Sequence, residues 1–139
     1  MERRSVSIDL SVLLQATSGV PVYVKNLVDE LLKIEDCRLR FNFISSAEIP
    51  KFKNKYQAVT FNNKSSYKRI FWENFFMARH INSDIYHNPL FLLPRFGLKK
   101  NIKTIVTVHD LAFIEHQDSF DLKTKLYFKL FLRKSLLRA

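Results

Sequence analysis

The stretch TSGVPVYVKNLVDELLK, Thr17 to Lys33, decides the fold through what repeats inside it and what flanks it. Val20, Val24, Leu27, Val28, Leu31 and Leu32 fall on one side of a helical path, as in a helix that buries a single face. Thr17-Ser18-Gly19 supplies a turn and a cap at its start. Pro21 lies in the first helical turn, where a missing N–H is tolerated. Short apolar runs with strand character lie on either side: Ser5 to Leu10 (SVSIDL), opening into a loop, and Leu39 to Ile44 (LRFNFI). Strand, helix, strand at this spacing is a βαβ unit, and it predicts a parallel sheet.

Working outward, residues 46–56 are polar and Lys-rich, a loop or frayed helix, and Ala58 to Phe61 reads as a third, weaker strand. After a turn at 62–66, the set Ile70, Phe71, Phe75, Met77, Ala78 and Ile81 predicts a helix over 67–81. Asp84 to His87 is a short buried strand stopped by Asn88-Pro89, and 88–101 is a loop. Thr104 to Val108 (TIVTV) is β-branched and apolar on both faces, which predicts a central, covered strand. Asp121 is placed to cap a final helix from Leu122 to the end, basic yet apolar around much of its circumference, so cover on more than one side is expected. No Gly, Asn or Pro closes that helix, which predicts a domain incomplete at its C-terminus. The expectation is an α/β fold: an open, doubly wound parallel sheet of roughly five strands with helices on both faces.

Composition narrows the field. At 139 residues the length suits one domain with its own core, and 47% hydrophobic against 26% charged residues argues against disorder. Only 2 glycines leave little material for the tight turns of an all-β fold. The net charge of +10 asks for an anionic partner or simply a well-solvated surface. Cys37 is alone, so the chain holds no disulfide framework. Neither a secretion signal nor a membrane-length apolar run is present, and a cytoplasmic protein is expected.

In an open parallel sheet, ligands gather beyond the carboxyl ends of the strands. Three groups sit there. Gly19 opens the first helix, where free backbone N–H groups and the helix dipole can meet an anion, unless it only makes the turn. His87 and Asn88 follow the fourth strand; the His can donate to a sugar or phosphate oxygen, or satisfy loop carbonyls. His109 and Asp110 follow the fifth; there a His can bond a substrate hydroxyl with Asp110 orienting it, or the pair can be a packed turn. His80 and His116 are expected at the surface. No GxGxxG, Walker loop, GxSxG elbow or metal-ligand spacing occurs, so no metal and no bound cofactor are expected.

Five segments in order carry a family resemblance: SIDLSVL, TSGVPVYVKNLVDELLK, RIFWENFF, SDIYHNPLFLLP and KTIVTVHDLAFIEHQDSF. Together they span residues 5–128 and resemble the N-terminal domain of glycosyltransferase family 4, retaining enzymes of the two-domain, Rossmann-like GT-B architecture. The resemblance implies that residues 1–139 are a partial, acceptor-side domain and that the C-terminal nucleotide-sugar-binding domain is absent, or carried on another chain. It further implies transfer of a sugar from a nucleotide-sugar co-substrate to a carbohydrate or lipid-linked acceptor, as in polysaccharide biosynthesis. His109 resembles the family histidine facing the transferred sugar, with Asp110 beside it. Gly19 resembles the glycine loop near the donor diphosphate, and His87 and Asn88 resemble part of the acceptor wall. Where the family often reads Gly-Val-Gly-Arg-Tyr, this chain has Gly19-Val20-Pro21-Val22-Tyr23, so one N–H and one positive charge are missing from that loop.

Two other classes fit the charge. A nucleic-acid-binding module would use interleaved cations and aromatics such as Lys68-Arg69-Ile70-Phe71-Trp72, but no known binding motif accompanies them and none is expected. A peripheral membrane contact would use the basic final helix against acidic lipids, on the inner face of the membrane.

Overall fold

The computed structural model describes residues 3–14, 19–34, 38–45, 57–58, 66–110 and 121–139. Five parallel strands form one sheet: β1 (Arg4–Asp9), β2 (Leu39–Ser45), β3 (Gln57–Ala58), β4 (Ile85–Asn88) and β5 (Lys103–Val106), in the order β3-β2-β1-β4-β5. Among the described residues the helices are α1 (Gly19–Leu31), α2 (Ser66–Phe75) and α3 (Leu122–Arg138). The sheet is Rossmann-like in its parallel order and its layers.

Alternation along β1 sorts the two layers. Ile8 and Leu10 point to one face and pack with Phe43 and with Val24 and Val28 of α1, all buried. Each such valine contributes about 1.5–3 kcal/mol through burial. Tyr86 and Ile44 point the other way, into a second cluster with Met77, Ala78, Ile81, Leu93, Leu98 and Ile102. On that side α3 docks through a hydrogen bond from Thr104 Oγ1 to the Arg138 carbonyl (2.8 Å). Helices therefore cover both faces.

At the amino ends of the strands, Ser5 donates its N–H (2.7 Å) and its hydroxyl (2.8 Å) to Asp84 Oδ2, pinning β4 beside β1. That donated N–H, first of all, lowers the Asp84 pKa below the ordinary carboxyl value.

Three expectations need correction. The TIVTV strand is not central: β5 lies at the edge of the described sheet, with Ile105 47% exposed, and β1 holds the middle. α3 covers one face of β5, and among the described residues no helix covers the other. The helix expected over 67–81 ends at Phe75 and gives way to a 3-10 turn at Met77–His80. At this break the Asn74 carbonyl accepts the Phe96 N–H (3.1 Å), which ties the helix end to the loop around Phe96. Gly97, at φ 84°, brings this loop against the helix end; an added Cβ would stand 3.0 Å from Arg79 Cγ. Finally, α1 stops at Leu31 and Leu32 lies exposed in the turn beyond it. Of the weaker third strand only Gln57–Ala58 is seen, and 59–61 lie outside the described residues, as do the cap Thr17-Ser18, Cys37, the loop 46–56 and His116.

Candidate functional site

The strand order reverses between β1 and β4. From β1 the chain moves outward through β2 to β3, then returns through α2 to the other side. Such a switch point leaves a crevice between diverging connections at the carboxyl ends of the strands.

His87 sits on β4 in register with Ile8 of β1 and Ile105 of β5. It therefore shares the face that α1 covers. Its Nε2 lies 2.9 Å from Thr107 Oγ1. Burial lowers the His87 pKa, so the ring is neutral at neutral pH, with one nitrogen donating and the other accepting. Two residues past Thr107, His109 donates Nε2–H to the Pro89 carbonyl at 2.8 Å. In the neutral ring this leaves Nδ1 as the acceptor. Tyr23 of α1 meets this histidine in a T-shaped contact, with centroids 5.0 Å apart at 78°.

Tyr23 stands one helical turn after Gly19, so α1 brings its amino end to the tips of β4 and β5. Gly19 is exposed, and a Cβ built on it meets nothing within 4 Å. The protein's own packing does not require glycine there. Pro21 is buried within the first turn.

The expected site residues separate at this point. Gly19 at the start of α1 and the pair His87 and His109 belong to one side of the sheet. Asp110 is exposed beside them. Asn88 is buried and its amide serves the loop: Nδ2–H donates to the Leu92 carbonyl (2.7 Å) and Oδ1 accepts the Leu90 N–H (2.8 Å).

Tyr23 and Thr107 were not singled out from the sequence. The available signals were spacing ones: Tyr23 is four residues past Gly19 on a helix, and Thr107 is two residues before His109 in extended chain. A second omission lies on the opposite face. Asp9, at the end of β1, accepts Ser11 N–H at Oδ1 (2.8 Å) and the Tyr86 hydroxyl at Oδ2 (3.0 Å). Burial raises the Asp9 pKa above the ordinary carboxyl value, and burial together with Asp9 raises that of Tyr86 well above its own.

No protein-family model matches the sequence. No curated protein and no solved structure matches it either. Geometry alone therefore speaks for the site. Among the described residues no group of three or more His, Cys, Asp or Glu side chains is placed to hold a metal ion. What the crevice offers is a half-exposed aromatic ring, an acceptor nitrogen and a hydroxyl beside a helix amino end. That set suits a polar, hydroxyl-rich molecule with some apolar face.

The cation-and-aromatic segment around Phe71 looks different in three dimensions. Phe71 stacks on Phe75 (4.5 Å) and Phe75 on Phe96 (4.7 Å), so these rings stack first on one another. Arg79 and Arg95 cover Phe76 and Phe96 at 5.4 and 5.5 Å.

Proposed function

We propose that this chain is the acceptor-side part of a retaining glycosyltransferase of GT-B architecture, which transfers a sugar from a nucleotide-sugar to a carbohydrate or lipid-linked acceptor in the cytoplasm. The supporting observation is the grouping of Tyr23, His87, Thr107 and His109 on one side of the sheet at its switch point. In this reading the Tyr23 ring packs against the sugar's apolar face, and His109 Nδ1 accepts a hydrogen bond from a sugar hydroxyl. The Pro89 carbonyl holds that imidazole in the required tautomer. Asp110 lies beside it, and Asn88 shapes the loop that carries Pro89. Gly19 leaves room for a ligand to approach the start of α1. By the resemblance, most contacts to the nucleotide and diphosphate belong to a second domain, which stabilises the departing charge.

Saturation-transfer NMR on the purified chain tests this, with a panel of oligosaccharides and nucleotide-sugars. The expected result is binding of at least one carbohydrate, weakened at least tenfold by His109→Ala, which corresponds to about 1.4 kcal/mol, with negligible turnover of any nucleotide-sugar. Carbohydrate signals absent from the panel, or identical in the variant, would remove the proposal. Oligonucleotide binding that falls steeply with salt would put a nucleic-acid module in its place.

A further inference from the structure

The final helix carries an exposed apolar stripe that packs on none of the described residues' core clusters. Among the described residues α3 is fastened by one face: Leu132 and Ser135 are buried, and the Ser135 hydroxyl accepts the Leu93 N–H at 2.9 Å. Its last turn is held as well, since the Arg138 guanidinium donates to the carbonyls of Leu98 (3.1 Å) and Lys99 (3.2 Å). These bonds fix the rotation of the helix about its axis. Leu122, Leu126 and Leu130 follow one another at four-residue steps, and Leu137 returns to the same side two turns later. They are 82%, 58%, 50% and 78% exposed. Lys129, Arg133 and Lys134 lie exposed along the same outward side, and α3 contains no acidic residue.

We propose that this face of α3 lies flat on an anionic phospholipid surface, its leucines among the acyl chains and its cations at the headgroups. Sign of charge selects this occupant. Two copies pairing through the stripe would set one all-cationic helix against another, whereas a bilayer with acidic lipids offers the opposite charge. Among the described residues no helix is long and apolar enough to cross a membrane, so the contact is interfacial. The inference does not depend on the glycosyltransferase reading: each can fail while the other stands.

The test is sedimentation of the 139-residue chain with vesicles of phosphatidylcholine alone or mixed equally with phosphatidylglycerol. Three cations near an acidic surface predict partitioning stronger on the order of a hundredfold with the mixed vesicles, weakening as salt is added. The double variant Leu126→Glu, Leu130→Glu should lose this binding while its circular dichroism and melting temperature stay unchanged, because both side chains are exposed. Equal pelleting with the two vesicle types, or full binding by the double variant, overturns the proposal. So does self-association that the double variant abolishes, which would make a second copy the occupant.

Discussion

Two polar pairs stand near the same height in the sheet, on opposite faces, and their fates differ. On the face covered by the 3-10 turn, the loop after β4 and α3, Asp9 and Tyr86 meet at 3.0 Å in a buried site, and the other Asp9 oxygen is taken by Ser11. On the α1 face, His87 meets Thr107 and His109 meets Pro89, in half-buried positions beside an exposed helix start. The first pair has its polar atoms committed to the protein, so it serves the fold. In the second, each ring makes one hydrogen bond among the described residues, and its other nitrogen faces no described partner. Cover, more than residue type, separates a structural pair from an available one.

The largest effect is expected where cover is complete. Tyr86→Phe removes the donor to Asp9 Oδ2 and leaves a buried carboxylate oxygen unsatisfied, at a cost of about 1–3 kcal/mol in urea-unfolding stability. The pH dependence sharpens this. The folded-state pKa of Asp9 lies above its unfolded value of 3.8, so its contribution is whole below 3.8 and is lost as pH rises through the folded value. Because the Tyr86 hydroxyl opposes that rise, Tyr86→Phe should steepen the loss with pH, and Asp9→Asn should flatten it. A Phe variant as stable as the parent at every pH would show that the pair is not buried as described.

His87 should give the opposite slope on the other face. Its folded pKa lies below the ordinary 6.5, so its contribution is whole above 6.5 and is lost as pH falls through the folded value. His87→Gln should flatten stability below pH 6.5, with an effect at neutral pH under about 1 kcal/mol, since the ring is only half-buried. If Asp9→Asn and His87→Gln bend the pH–stability curve in the same direction, the contrast between the faces does not hold.

The sequence made the first half of the fold legible because a one-sided helix between two apolar runs has few other solutions. It misplaced β5 because strand propensity reports side-chain shape and not position in a sheet: TIVTV reads the same at an edge as in a centre. The broken helix after Phe75 was illegible for a similar reason. The helix end is tied by a hydrogen bond from Phe96, 22 residues from Asn74, and a periodic pattern carries no trace of it. Within the site, Gly19, His87 and His109 were found by their places at strand ends. Tyr23 was masked by its membership of α1, and Asp9 looked like an ordinary strand terminus until the Tyr86 hydroxyl arrived from 77 residues away.

The smallest effect on stability is expected at Gly19, and it sharpens the comparison because the two glycines of the chain differ. Gly97 has φ 84° and a Cβ there would crowd Arg79, whereas a Cβ on Gly19 meets nothing. Gly19→Ala should therefore leave the fold intact or stabilise it by about 0.4–1 kcal/mol, through the lower entropy of the unfolded chain. Any penalty must then come from a bound molecule. A carbohydrate lying against the start of α1 would meet the new methyl group, so its affinity should fall while thermal stability holds or rises. Unchanged affinity in Gly19→Ala, with His109→Ala still impaired, would confine the crevice to the tips of β4 and β5 and reduce Gly19 to the residue that makes the turn.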